Sequence, residues 1–392
     1  MADNKDKKVL NVPALRFPEF TEEWESVLLE DVAEFQKKRI SSDLLNNSNY
    51  ISTENILQNF GGVQNSISIP ANTNVIEYQK GDVLLSNIRP YLKKVWLSDR
   101  HGGCSADVFV LRGNQCERRF LYYVIASDRF INFVMSGAKG VKMPRGDKSQ
   151  MEKFAFFIPT NVEQKKIARF LSMLDERIRL QNKIIEDLRL LRDAIMVEHY
   201  RKCNKSKLCI YDIGEPFNVM NLSKDDLTKD GSPCIIYGEL FTTYGCVIEN
   251  VVSHTTKSPN STLSTKGDLL FPASTTVDAL SLIAPSSINE DGIILGGDMF
   301  GIHVNEQYNS NYLSYYFNII GKKNLAKYAK GSTIIHLHYA DIQKAKITLP
   351  NKNEQEAVAN LLLKVEHKLN IEQKMLINYL NTKNFLLWQM FI

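Results

Sequence analysis

Apolar positions in this chain follow two alternating habits. Short runs rich in β-branched and aromatic residues, punctuated by Gly, Pro and Asp, fill residues 13–160 and again 206–350. Each of these stretches is followed by a seam whose apolar positions recur alternately four and three residues apart. The first seam is Ile167, Leu171, Leu174, Ile178, Ile185, Leu188 and Ile195; the second is Val358, Leu362, Val365, Leu369, Leu376, Tyr379 and Leu386. That spacing is the heptad signature of helices wound on one another. It predicts one long helix from an N-cap at Asn161 to about Arg201, and a second over residues 351–392.

The polar interruptions of the two seams also correspond. Gln181 and Arg192 stand in the first, and Glu372 and Lys383 stand 191 residues later in the second. Matching interruptions suggest helices that pair with each other, their polar residues fixing the register. The second β-rich stretch begins where the first helix ends and then delivers the start of the second helix, so an antiparallel pair needs no return linker. Such a pair is on the order of 55 Å long.

The repetition extends through the β-rich stretches. Asp31-Val32-Ala33-Glu34 recurs as Asp212-Ile213-Gly214-Glu215, Tyr50-Ile51-Ser52-Thr53-Glu54 sits against Ile235-Ile236-Tyr237-Gly238-Glu239, and Lys80-Gly81-Asp82-Val83-Leu84 recurs as Lys266-Gly267-Asp268-Leu269-Leu270. From Asp107-Val108-Phe109 against Asp298-Met299-Phe300 onward the offset is constant at 191, carrying Lys139-Gly140 to Lys330-Gly331, Ile158-Pro159 to Leu349-Pro350 and Glu163-Gln164 to Glu354-Gln355. An offset that grows early and then holds means loops that have drifted around rigid helices. Val83-Leu84-Leu85 and Val108-Phe109-Val110-Leu111 read as strands bounded by Gly-Asp and Gly-Gly turns. Phe120–Met135 and Tyr312–Tyr328 read as amphipathic helices. Ala155–Ile158 and Lys346–Leu349 read as strands closed by proline.

The expected fold class is therefore α+β: two pseudo-twofold-related mixed α/β domains joined by two long antiparallel coiled-coil helices. The expected boundaries are a disordered N-terminus at 1–12, a first domain at 13–160, a helix at 161–205, a second domain at 206–350 and a helix at 351–392. A duplicated domain most naturally binds a bipartite target.

Composition adds little and excludes much. A net charge of +4 over 392 residues is only mildly basic, which permits nucleic-acid binding without arguing for it. No apolar run approaches the roughly 18 residues of a membrane span, and the polar, lysine-rich start lacks the apolar core of a signal peptide. The six cysteines show no C-x-x-C spacing and do not fall at equivalent positions in the two halves, as expected of structural thiols in a reducing cytoplasm. There is no G-x-x-x-x-G-K-[ST] phosphate loop, no Pro-Pro, no Phe-x-Gly-x-Gly and no Pro-Asp dipeptide. A P-loop motor, an amino-methyltransferase and the strict nuclease signature therefore have no footing. His336-Leu337-His338 would place two imidazoles on one face of a strand, but no third ligand stands at useful spacing. Glu372-Gln373-Lys374 has nuclease-like E-x-K spacing but falls on the second long helix, and is read as helix surface. The chain is expected to bind rather than catalyse, with no metal and no catalytic residues.

Candidate DNA contacts lie in two loops per half. In the first half, Arg89, Tyr91, Lys93 and Lys94 crowd behind a strand, and Lys139, Lys142, Arg145 and Lys148 occupy a loop with two glycines and a proline. Such loops can lie along phosphates, with Arg available for guanine edges. Their counterparts differ: Ser274 and Thr275 in place of the Arg-rich stretch, and Lys330, Thr333 and His336 in place of Lys139, Lys142 and Arg145. Similar scaffolds with different loops would read two different half-sites.

Taken together the chain resembles the specificity subunits of type I restriction-modification systems. The likeness runs through Leu15-Arg16-Phe17-Pro18-Glu19-Phe20 with Trp24, Gly81-Asp82-Val83-Leu84-Leu85-Ser86, Ile88-Arg89-Pro90-Tyr91-Leu92, Ile158-Pro159, Glu163-Gln164-Lys165-Lys166-Ile167-Ala168 and the later Leu349-Pro350 with Glu354-Gln355. No single motif decides it; the order, duplication and coupling to two long helices do. The second domain lacks the Ile-Arg-Pro-Tyr continuation. The resemblance implies two target-recognition domains on double-stranded DNA and helices that act as spacer. It further implies docking of two methyltransferase (M) subunits and of motor-nuclease (R) subunits. Adenine-N6 methylation would then use S-adenosylmethionine, and cleavage ATP and Mg, all held by those partners. The rival readings are a stand-alone two-domain DNA-binding regulator and a fused methyltransferase, the latter opposed by the missing cofactor motifs.

Overall fold

The computed structural model describes residues 11–219, 222–256 and 261–391, so of the stretch expected to be disordered, residues 1–10 lie outside the described part. The chain forms two units, Met1–Gln181 with Met375–Ile392, and Asn182–Lys374. Each long helix is unbroken, at Asn161–Lys202 and Lys352–Met390, and each contributes a part to either unit.

In the first unit two four-stranded sheets carry the fold. One runs in the order Ala33–Phe35, Val108–Gly113, Val83–Ser86, Val95–Leu97, antiparallel throughout. The other runs Arg39–Ser41, Asn74–Tyr78, Gly102–Cys104, Tyr50–Ile51, its last pair parallel. A separate pair joins Glu25–Leu28 to Ala155–Ile158. Gly102-Gly103, expected as a turn, is a central strand. A Cβ on Gly103 would lie 2.6 Å from both Leu45 and Val75, so the glycine permits close strand packing.

The second unit repeats the plan with five-stranded sheets. One is ordered Gly214–Asn218, Met299–Val304, Asp268–Pro272, Ser286–Ile288, Val247–Ile248; the other Leu227–Thr228, Ser253–Thr255, Ser232–Ile236, Ile294–Gly296, Thr262–Leu263. Register is preserved to the residue: Val83 faces Leu111 in the first unit, and their repeat equivalents Leu269 and Ile302 face each other in the second. The Asp of each Lys-Gly-Asp turn is buried beside that pair. Asp82 accepts two hydrogen bonds from Arg112, at 2.8 and 2.7 Å, and Asp268 lies 2.7 Å from His303 Nδ1.

The two domain helices are broken where continuous ones were expected. Phe120–Met135 is divided into Arg118–Ile125 and Asp128–Ser136, because Ser127 Oγ accepts the Phe130 N–H at 3.2 Å and donates to the Val124 carbonyl at 2.7 Å, starting a new helix. Tyr312–Tyr328 likewise becomes Ser310–Ile319, Lys322–Leu325 and a 3₁₀ turn at Ala326–Tyr328, interrupted at Gly321.

The helix seams are antiparallel within each unit. In the first, Lys383 Nζ reaches Asp175 at 2.6 Å and Arg177 lies over the Tyr379 ring at 5.9 Å; the partner residue falls as the other rises. In the second, Arg192 reaches Glu366 at 3.4 Å. All the heptad residues are buried or half-buried, and the polar interruptions Gln181, Glu372 and Lys383 are buried with them, so Glu372 belongs to the seam and not, as expected, to the helix surface.

The Glu-Gln repeat is the hinge pin of each unit. Gln164 accepts the Glu117 N–H and donates to the Pro159 carbonyl, both at 2.8 Å. Gln355 accepts the Asn309 N–H at 2.9 Å and donates to the Pro350 carbonyl at 2.8 Å. Each glutamine thus ties the start of a long helix to the start of a domain helix and to the strand's closing proline. In the first unit Arg16 adds a bidentate pair to Glu163, 2.7 Å to each oxygen, which explains why an Arg-Phe-Pro segment precedes the first strand.

Candidate nucleic-acid interface

The two lysine-glycine loops are hairpins of one backbone design. Lys139 and Arg145 exchange N–H···O bonds of 2.9 Å each, and Lys330 and His336 exchange bonds of 2.9 and 2.7 Å. The turn glycines Gly140 and Gly331 take φ of 97° and 115°, a region where a side chain would be strained. Each hairpin then crosses to the preceding loop. Arg145 bridges Ile88 while the Arg89 N–H donates to the Pro144 carbonyl at 2.8 Å; Ser274–Thr275 pairs with Ile335–His336. The follow-on bonds also correspond, Gly146 N–H to the Asn87 carbonyl at 3.2 Å and Leu337 N–H to the Ala273 carbonyl at 2.9 Å.

The lysine at each base is a brace. Lys139 Nζ sits 2.7 Å from Asp147, and Lys330 Nζ sits 2.5 Å from Asp341. The lysine ammonium in each case holds its carboxyl below the ordinary range. Asp147 is at the same time the N-cap of the short helix Lys148–Glu152, so hairpin and helix are locked together.

Side-chain accessibility sorts the expected contacts. Lys142 and Thr333 stand exposed on their hairpins, and Tyr91 is also exposed. Arg145 and His336 close the hairpins with about half of each side chain accessible, at 57% and 45%. Thr275 is half-buried and accepts the Val277 N–H at 3.3 Å. Others are spent on the fold. Lys94 Nζ donates to the Thr53 carbonyl at 2.7 Å, Lys93 pairs with Asp128 at 2.5 Å, and Lys148 lies 5.0 Å over the Phe35 ring with Glu152 at 3.5 Å. Ser274 is buried in its strand pair. Arg89 adopts a left-handed backbone with φ of 50°, and its Nε is buried without a partner.

Two aspartates, not legible from the run of cations, stand beside them. Asp107 lies 3.3 Å from Arg145 Nη2, and Asp298 lies 4.0 Å from His336 Nδ1. They are equivalent positions, already aligned as Asp107-Val108-Phe109 and Asp298-Met299-Phe300, so the signal was present in the repeat.

Reactive chemistry does not gather here. Among the described residues no three His, Cys, Asp or Glu side chains are placed to hold a metal ion. His336 and His338 stack with centroids 6.1 Å apart; His338 caps a helix and does not extend the strand. All six cysteines are unpaired, and burial pushes the Cys234 and Cys246 thiols up to about 11 and 12, where a thiolate nucleophile is not formed at neutral pH.

Residues 21–190 and 207–382 each match the family described as the type I restriction modification DNA specificity domain. The chain belongs to this family. As a type I specificity subunit it carries two DNA-recognition domains and is the non-catalytic member of its system. Subunits of this kind bind DNA and assemble with M and R subunits. Among its relatives, the type I restriction enzyme MjaVIII specificity subunit of Methanocaldococcus jannaschii is 23% identical, covering 94% of this chain and 92% of that protein. The putative MjaX specificity subunit of the same organism is 24% identical over 75% of this chain and 73% of its own. A crystal structure of the type I S subunit from M. genitalium shares the fold with a TM-score of 0.63 at 16% identity, covering 97% of this chain and 99% of that one. A structure from work on type I R-M complex assembly and conformational transition superposes with a TM-score of 0.53 at 18% identity, over 93% of this specificity subunit and 96% of that chain. Among the described residues no helix is long and apolar enough to cross a membrane.

Proposed function

We propose that each recognition domain reads one half of a bipartite duplex target through its lysine-glycine hairpin and the loop paired to it, and that the two long helices set the gap between the halves. The observation that carries this reading is the matching backbone bonds of the two hairpins, set against the difference of the side chains they present: Lys142 and Arg145 against Thr333 and His336. A constant frame with variable exposed groups is what two different sequences require of one fold.

Two methyltransferase subunits dock on the helices. Met173, Leu190, Ile371, Ile377, Phe385 and Trp388 lie exposed along them, more apolar surface than a self-sufficient DNA-binding regulator would leave in water. Adenine-N6 transfer from S-adenosylmethionine, and ATP- and Mg-dependent cleavage by motor-nuclease subunits, then belong to those partners in the cytoplasm.

The deciding experiment maps methylated adenines in cells carrying the chain with its partners. Exchanging residues 208–350 for another family member's domain should change one half-site and leave the other half-site and the gap intact. Inserting whole heptads before the second domain should change or abolish the gap and leave the bases alone. A domain exchange that altered both half-sites would sink the modular reading.

A further inference from the structure

One position of the paired hairpins changes its chemistry while its surroundings do not. Arg145 and His336 each close their hairpin, each cross to the preceding loop, and each face an aspartate at the head of the neighbouring strand. Those aspartates are themselves held by equivalent backbone bonds: the Asp107 carbonyl accepts the Asn87 N–H and the Asp298 carbonyl accepts the Ala273 N–H, both at 2.8 Å. An aspartate so placed limits the swing of a cation that would otherwise be free at the surface. The guanidinium keeps its charge at every working pH, whereas imidazole is the side chain whose charge changes near neutrality.

We infer that positions 145 and 336 are the equivalent base-reading positions of the two domains, positioned by Asp107 and Asp298, and that the half-site contact made by His336 depends on pH while that made by Arg145 does not. This rests on the DNA-reading role proposed above. The groups facing His336 are Asp298 at 4.0 Å, the His338 ring at 6.1 Å, and Lys330, whose ammonium is held by Asp341 at 2.5 Å. With Nδ1 turned to Asp298, the neutral ring that carries its proton there offers only a lone pair at Nε2. The protonated ring offers an N–H, suited to guanine N7 or O6 or to a phosphate. Contact through His336 therefore strengthens as pH falls through the imidazole range.

The test uses the full chain and a pool of duplexes with randomised sequence, selected at about pH 6 and about pH 8, on either side of imidazole titration. Fluorescence anisotropy then follows the selected duplex with either half scrambled. Affinity through one half-site should fall on the order of 5–10-fold between the two pH values, the size of one lost charge-assisted base contact. Affinity through the other half-site should hold. His336→Arg should abolish the difference, and Asp298→Asn, which removes the group that orients the ring, should reduce it with the melting temperature unchanged. Equal pH dependence of both half-sites, or its survival in His336→Arg, would overturn the inference alone. Failure to select any sequence at either pH would overturn the DNA-reading role with it.

Discussion

Replacing Gln164 by alanine removes the residue that ties three elements of the first unit together. The side chain is 3% exposed, and its loss leaves the Pro159 carbonyl and the Glu117 N–H without partners. An orphaned buried backbone group costs about 1–3 kcal/mol. Water will reach the half-exposed Glu117 side of the site more easily than the proline carbonyl, so the sum should fall near 3 kcal/mol. For a unit of this size that is roughly 6–12 °C in Tm. Gln355→Ala should do the same to the second unit, since Gln355 is fully buried and makes the equivalent bonds to Pro350 and Asn309. The two sites share no partner, so the double variant should lose the two amounts additively. Urea unfolding followed by tryptophan fluorescence and by far-ultraviolet dichroism measures both losses and tests whether the units melt together. Gln164→Glu sharpens the test: the carboxylate can still accept from Glu117 but cannot donate to Pro159, so the bond to Pro159 should return only as the new side chain becomes protonated. A cost below about 0.5 kcal/mol for both alanine variants, the range of ordinary surface changes, would refute the reasoning.

Arg192→Ala should strip Glu366, itself 7% exposed, of a seam partner at 3.4 Å; leaving a buried carboxylate uncompensated costs about 3–5 kcal/mol, and Arg192→Leu with Glu366→Leu should restore most of it in the same unfolding assay. The braces Lys139–Asp147 and Lys330–Asp341 should open in acid. Both carboxyls are held low by their lysines, so their stabilisation is complete above the ordinary aspartate value and is lost as pH falls through the depressed one. Carboxyl-carbon NMR titrations should place both midpoints below those found in Lys139→Ala and Lys330→Ala; unchanged midpoints would show the braces to be loose.

The duplication, the heptad seams and the strands at Ala155–Ile158 and Lys346–Leu349 were legible in the sequence because each is a periodic or repeated pattern. Apolar spacing reports which face of an element is buried, and one unbroken stretch of chain is enough to read it. Even the polar residues of the seams were found, since an interruption stands out against a period. What escaped was set by partners distant in the chain. Ser127 breaks a helix whose apolar pattern continues through it, because its hydroxyl competes for backbone groups that periodicity does not see. Gly102-Gly103 looks like a turn until Val75 and Leu45 crowd it into a strand. In the candidate contact loops, charge alone could not separate Lys142, which projects, from Lys94, which is consumed by the Thr53 carbonyl. Nor could it reveal that an aspartate, Asp107 or Asp298, stands beside Arg145 or His336. Whether a surface lysine is free or spent depends on which backbone folds back against it. That is decided by tertiary structure, whereas the period of the apolar residues is written along the chain itself.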